Sequence, residues 1–374
     1  MAANARVYLI SGGCVVLVGA MFVAGLLIQP SHTQDATVGP VATGTGGSAA
    51  AAGAGAGGGA ALDPKVPHVV YQADFKTMPG EEWSEGTPKQ TPKGARPYWG
   101  DFYPNNSPAL TVGDLPPHKL VRLTYDMLLS KSWDGSSPTY GPSVMDMALG
   151  GEDGRSLMHA TFCNMGMYPR VNNEQSFPDN YFSRPYPAFT LATENQTLGY
   201  MQSFTSQGGH PNDDPSSVYH MVMTFPHEAG EIVVKWKTTI RDGSYKGYGF
   251  MNMRVETLPE LKTWSENQYK MFWTDLGRQT VEEAQQFYTA KWNLIAAGDG
   301  AVAYMEKHLA ENIDGVVPNP EGDPEADRGP AYQKGIFPKT PTLARLQRTR
   351  DVLEAIHTPA ALAFKEKIVA FEPR

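Results

Sequence analysis

The chain has 374 residues, 31 Lys and Arg against 39 Asp and Glu, a formal net charge of −8 and 41% hydrophobic residues. That balance, with no basic run able to track phosphates, argues against nucleic acid as a partner. The two cysteines, Cys14 and Cys163, exclude a disulfide framework, so stability must come from a large hydrophobic core.

The first element in chain order is an uncharged apolar run from Val7 to Ile28. As a helix it would cover roughly 33 Å, enough to span a hydrocarbon core of about 30 Å. Arg6 precedes the run, and Lys65 is the next Lys or Arg after it. The asymmetry predicts a single-pass anchor with a cytoplasmic N-terminus and the bulk of the chain extracytoplasmic, periplasmic or at the cell surface. The rival reading, a cleaved signal peptide, calls for a shorter apolar core and a small-residue site, which Gln29, Pro30 and Ser31 do not supply. Cys14 lacks the upstream Leu of a lipid attachment site and reads as a small membrane-facing residue.

Residues 30–62 are almost pure Ala, Gly, Thr and Val, unable to bury a core, and are expected to be a flexible tether. From Pro67 to about Thr257 the pattern becomes two-residue alternation. Val121, Leu123, Tyr125, Met127 and Leu129 alternate with Arg122, Thr124 and Asp126. Tyr219, Met221, Met223 and Phe225 alternate with Val218, His220 and Thr224, and Ile232, Val234 and Trp236 follow the same rule. Segments 143–149, 157–162 and 249–256 extend it. Short strands separated by turn signals predict a mainly β fold, an antiparallel jelly-roll sandwich over residues 63–259.

Residues 260–374 switch to helical spacing. Thr280 and Glu283 form a capping-box pattern before Val281, Ala284, Tyr288, Trp292 and Ile295, and Gly298 is placed to end that helix. Val302, Met305 and Leu309 mark a second helix, and Leu343, Leu346, Leu353 and Ile356 a third. Thr358–Pro359 opens a fourth, with Ala361, Phe364, Ile368 and Phe371 on one side. Residues 318–341, rich in Pro, Gly and charge, are expected to be a disordered loop. Trp264, Tyr269, Phe272 and Trp273 read as a hinge that packs this helical extension on the sandwich.

Two stretches carry resemblances. Asp74–Phe75 with Glu82–Trp83–Ser84, Leu115–Pro116–Pro117–His118, Ser132–Trp133–Asp134–Gly135, Thr161–Phe162–Cys163–Asn164, Gln175–Ser176–Phe177–Pro178 and Phe225–Pro226–His227 stand in order along the chain. With them, Tyr71 to Val255 resembles the planctomycete-type secreted β-sandwich domain of the concanavalin A/laminin G-like kind. The resemblance implies the sandwich fold but no single activity. The strand that usually closes that domain carries an acidic residue where this chain has Met251, which puts a laminin G-type calcium site in doubt. Further on stand Phe272, Thr274–Asp275–Leu276, Ala290, Trp292, Leu294 and the run from Leu346 through Asp351–Val352–Leu353–Glu354 to Thr358–Pro359. They resemble the HEAT-like tail of planctomycete WD40-repeat proteins, here shortened to about four helices, and imply a contact surface.

Trp133 and Asp134 could stack and hydrogen-bond a sugar ring from an exposed loop; equally, Trp133 could close the core while Asp134–Gly135 makes a turn. Asn164 and Asn252 complete the candidate ligand-binding set. Asp213 and Asp214, with His210 nearby, are weak metal candidates, and a turn is the competing reading. His118, His159, His220 and His227 lie on or near strands without short-range ligand spacing, so no metal site is assigned. No cofactor motif appears, and the glycine runs lack the Lys and Ser or Thr of a phosphate loop. Glycoside hydrolysis would need two carboxylates on one face, whereas Glu152 and Asp153 are adjacent and would face opposite sides of a strand. The leading expectation is therefore a non-enzymatic, membrane-tethered interaction protein whose partners are the lipid bilayer, through Val7 to Ile28, and a glycan or an envelope protein. A glycosidase or lyase on the same sandwich, or an accessory subunit of an envelope complex, are the alternatives.

Overall fold

The computed structural model describes residues 65–150, 154–165, 174–181, 185–201, 214–240, 246–310 and 341–369, all within the unit Ala51–Arg374. The expected anchor at Val7 to Ile28, the tether 30–62, Glu152, Asp153, His210, Asp213 and nearly all of the 318–341 loop lie outside them. No helix among the described residues is long and apolar enough to cross a membrane.

Thirteen named strands and five named helices are present in the described residues. The strands are β1 His68–Ala73, β2 Thr87–Gln90, β3 Pro97–Phe102, β4 Ala109–Val112, β5 Leu120–Lys131, β6 Ser143–Leu149 and β7 Arg155–Thr161. After these come β8 Glu174–Gln175, β9 Tyr186–Pro187, β10 Glu194–Asn195, β11 Ser216–Pro226, β12 Ile232–Ile240 and β13 Lys246–Leu258. One antiparallel sheet has the order β10-β11-β5-β13-β3-β2, with β1 also on β13; a second has the order β4-β12-β6-β7. The alternating residues of β5, β11 and β12 put their apolar members into one core. Tyr125, Met127, Tyr219, Met221, Val234 and Trp236 are fully buried. Trp83 stacks between the two sheets on Trp236 at 5.7 Å and Phe250 at 5.5 Å, and its Nε1 donates to the Tyr71 hydroxyl at 2.8 Å.

The helices are α1 Glu266–Asp275, α2 Ala284–Ala296, α3 Asp299–Ala310, α4 Pro341–Ile356 and α5 Pro359–Val369. The segment expected to be a hinge is α1 itself, opened by a complete capping box of Ser265 and Gln268. The Thr280 box is only half made. Glu283 accepts from the Thr280 backbone at 3.3 Å, but no side chain caps α2, which starts four residues later. Gly298 ends α2 in the left-handed region, at φ +56°, as the sequence indicates. Thr358 caps α5 by accepting from Ala361 N at 3.2 Å.

The helices do not form a separate layer with its own core. One hydrophobic cluster runs from Trp236 and Phe250 through Phe162 and Phe177 to Tyr288, Trp292, Leu353 and Ile368. Helix α2 packs on β11 and α4 on both β7 and β11, while α1, α3 and α5 pack on the other helices.

Candidate functional site

The loop expected to offer Trp133 to a sugar is a buried clasp. Trp133 is fully buried, and its indole Nε1 donates to the Gly247 carbonyl at 3.0 Å, leaving no ring face for a ligand. Asn164 is also fully buried: its Oδ1 accepts from Trp133 N at 2.8 Å, and its Nδ2 donates to the Pro215 carbonyl at 2.9 Å. Asp134 pairs with the buried Lys246 ammonium at 2.7 Å. Gly135 sits at φ +58°, where an added Cβ would meet the Glu174 carbonyl oxygen at 1.9 Å. The ligand-binding reading of Trp133, Asp134 and Asn164 is thus replaced by the core-closing one, because every polar atom named here faces another part of the protein.

Asp214 is likewise internal to its loop. It is 8% exposed and accepts the backbone N–H groups of Gly199 at 2.5 Å and Tyr200 at 3.0 Å. Among the described residues no three His, Cys, Asp or Glu side chains converge as metal ligands. His118 and His227 hydrogen-bond each other at 2.8 Å, and His159 meets Asp146 at 2.5 Å on the outer side of the second sheet. Met251 is buried in a small cluster with Tyr98, Leu128, Leu198 and Val218, where a carboxylate would have no partner.

Asn252 has a different setting. It stands at a bulge in β13, with φ +51°, where two residues oppose one on β5. Its Nδ2 donates to Asp126 Oδ2 at 2.6 Å, and the other Asp126 oxygen meets His220 Nδ1 at 2.7 Å. The three side chains form a line across β13, β5 and β11 on the outward face of the first sheet. Strand register stacks further rows beside it: Thr124 with Val222 and Arg254, then Arg122 with Thr224 and Glu256, then Leu120 with Pro226 and Leu258. The last row is covered by Ala296 of α2.

Between these rows and α2 lies a cleft of about 580 Å³. Its floor carries Arg122, Thr124, His220 and Glu256; its wall carries Gln285, Thr289 and Asn293. Those three wall residues recur every four positions, so they form one polar stripe along the helix. Tyr288 and Trp292 lie at the base, 8% and 6% exposed. Burial pushes the Tyr288 hydroxyl pKa up. Trp292 Nε1 lies near enough to moderate that rise, although the two atoms do not meet hydrogen-bond geometry. A smaller depression of about 270 Å³ beside β2 and β3 is less open to a ligand's polar groups. Its Glu85 already accepts from Asn106 at 2.7 Å and Ser107 N at 2.6 Å, and its Asp101 from Tyr98 at 2.5 Å.

Chemically, His220 held by Asp126 is an oriented imidazole. Among the described residues no Ser, Thr or Cys hydroxyl or thiol is hydrogen-bonded to it, so no nucleophile–base pair is assembled there. The cleft sets donors and acceptors of the sheet and of α2 around a lining that also includes Phe177, Leu191 and Val222.

No protein-family model matches the chain, and no curated protein matches it by sequence. Among solved structures it is similar to latent PorU from Porphyromonas gingivalis, at 8% identity and a TM-score of 0.27, over 47% of this chain and 12% of that one. It is similar to the family GH115 4-O-methyl-α-glucuronidase BtGH115A, at 10% identity and a TM-score of 0.24, over 50% of this chain and 17% of that one. A third is the carbohydrate-binding module CBM6cm-2 of Cellvibrio mixtus lichenase 5A, solved with cellotriose: 11% identity and a TM-score of 0.24, over 53% of this chain and all of the module. The chain thus spans less than a fifth of the length of the first two.

In the sequence Arg122 and Thr124 read as the polar phase of a strand, His220 as that and as one of four histidines without ligand spacing, and Tyr288 and Trp292 as a helical core stripe. The signal available for the wall was the run Gln285, Thr289, Asn293, polar at four-residue spacing beside an apolar stripe.

Proposed function

We propose that the protein is a membrane-tethered extracytoplasmic binding protein, acting without turnover, whose cleft between the first sheet and α2 takes a glycan segment. The observation that carries this reading is the pairing of two polar surfaces, Arg122, Thr124 and His220 below and Gln285, Thr289 and Asn293 beside, across about 580 Å³. That volume lies within the roughly 300–1,000 Å³ of small-molecule sites. Polar groups on both surfaces beside the apolar Leu191, Val222 and Trp292 suit a sugar, which carries hydroxyls at its edges and C–H groups on its faces. The sandwich reads as the concanavalin-like kind, with the site on its outward sheet face rather than at Trp133. The anchor reading rests on the apolar run Val7 to Ile28 and on the basic asymmetry around it, Arg6 before it and no Lys or Arg after it until Lys65.

The test is a glycan array probed with the full chain in detergent, beside a cleft-filling variant, Thr289→Trp. Thr289 is exposed, so the variant is expected to keep the melting temperature and lose binding. Absence of any glycan binding, or binding indifferent to Thr289→Trp, overturns the reading. Turnover of a bound sugar that disappears in Asp126→Asn would replace binding with catalysis. For the anchor, protease added to intact spheroplasts is expected to digest the described part; protection until lysis overturns that half of the proposal.

A further inference from the structure

The charges around the cleft are unevenly satisfied. Glu256 is held by Arg254 at 2.7 Å and stands 3.7 Å from Arg122. Asp126 has its two oxygens engaged by His220 and Asn252. Both carboxylates on this face are therefore in close contact with other side chains. Of the cations, Arg254 is paired with Glu256, but Arg122 has only the longer contact to it, and no acidic partner stands against the Lys262 ammonium among the described residues. Arg122 presents a planar fork of donors and Lys262 a flexible point charge. His220, half-exposed on the same floor, is held through Nδ1 by Asp126. This local surplus of positive charge sits in a chain whose formal net charge is −8.

We infer that the ligand of this cleft is an acidic glycan, a sugar chain bearing a carboxylate or a sulfate ester, with Arg122 and Lys262 holding the anionic substituent. The inference rests on the glycan reading above and adds the charge of the ligand. The polar stripe Gln285, Thr289 and Asn293 takes the ring hydroxyls, and Thr124 lies on the floor between Arg122 and His220. A neutral sugar of the same shape would use the same stripe and leave the two cations unmatched.

The experiment is titration calorimetry of the full chain in detergent with oligogalacturonate, its fully methyl-esterified form, and a sulfated oligosaccharide of similar length. The ester keeps the sugar and removes the charge. The acid is expected to bind at least about tenfold more tightly than the ester, the factor that one charge-assisted hydrogen bond supplies. Added salt is expected to narrow that gap. Arg122→Gln with Lys262→Gln is expected to bring acid and ester within about twofold while ester binding persists, which reports an intact cleft. The single variant Lys262→Gln, on a partly exposed side chain, should narrow the gap part-way. Preference for the sulfated chain over the uronate assigns the substituent to sulfate. Equal binding of acid and ester by the wild-type chain overturns the inference while leaving the glycan reading in place. A gap that survives the double variant also overturns it. Binding of none of the three removes the glycan reading and the inference together.

Discussion

Arg348 of α4 and Asp179, 169 residues apart, form a two-bond buried ion pair, Nε to Oδ1 at 2.7 Å and Nη2 to Oδ2 at 2.9 Å. The guanidinium also donates to the Tyr186 hydroxyl and to the carbonyls of Leu276 and Arg278, and lies over the Phe287 ring at 3.6 Å. Burial disfavours its charge, but Asp179 and Tyr186 outweigh that and raise its pKa. One side chain thus ties α4 to the loop after β8, to β9, to α2 and to the end of α1.

Arg348→Met is expected to destabilise the protein by about 3–5 kcal/mol, because it leaves the Asp179 carboxylate buried without its partner. The double variant Arg348→Met with Asp179→Leu should be less destabilised than the single one. Urea midpoints of the two variants decide the point. A double variant no more stable than the single would show that the lost contacts to Tyr186 and the carbonyls dominate.

Trp133→Ala is expected to cost about 3–5 kcal/mol, the range for removing a large buried aromatic. The indole closes the core beneath Tyr248, with ring centroids 6.4 Å apart, and its hydrogen bond to Gly247 goes with it. Thermal melts should show a lowered midpoint. Unchanged stability with loss of glycan binding would instead return Trp133 to the ligand.

A pH effect follows from the pair at the end of β11. Burial, with His118 and Arg155 beside it, pushes the His227 pKa from 6.5 down to about 4. As the pH falls, the unfolded chain takes up this proton before the folded one does. The contribution is therefore complete above about pH 6.5 and is lost progressively as the pH drops toward 4. Carboxylates titrate in the same window, so the measurement is the difference between wild type and His227→Gln in melting temperature against pH. The variant should show the shallower fall; parallel curves would assign the acid sensitivity elsewhere.

The Cys163 thiol is fully buried, and burial pushes its pKa up to about 12. Little of it is thiolate at neutral pH, so iodoacetamide is expected to label it only when the protein unfolds. Mass analysis after native and denaturing treatment makes the comparison. Rapid native labelling would mean that the clasp around Asp134 and Gly135 opens.

How far the sequence reaches depends on whether a signal is local. Strands β5, β11 and β12 announce themselves because each is half-buried, so their apolar and polar residues alternate cleanly. Strand β2 is exposed throughout and β3 is buried along most of its length, so neither keeps a two-residue period to be read. Helix α1 was hidden among aromatic residues although Ser265 and Gln268 carry its capping signal. The cleft is a different case. It exists because α2 lies over rows in which β5 meets β11 and β13 from far along the chain, and no spacing within β5 or α2 reveals that meeting. Trp133 shows the same limit in reverse: a Trp-Asp-Gly loop looks exposed in sequence, and only Asn164 and Gly247 reveal that it is enclosed.

The bulge at Asn252 sets the phase of a whole strand. Before it, Tyr248 and Phe250 point to the core; after it, Met253 and Val255 do, three residues on rather than two. Were the same residues to run on without a bulge, the two-residue period counted from Phe250 would turn Met253 and Val255 outward and Asn252, Arg254 and Glu256 inward. Deleting Asn252 would remove the extra residue and leave Met253 and Val255 in phase with Tyr248 and Phe250, but it would take away the amide that donates to Asp126. The same bulge thus sets both the sandwich's apolar filling and the cleft's acidic edge, and an unbulged strand of this sequence would supply neither.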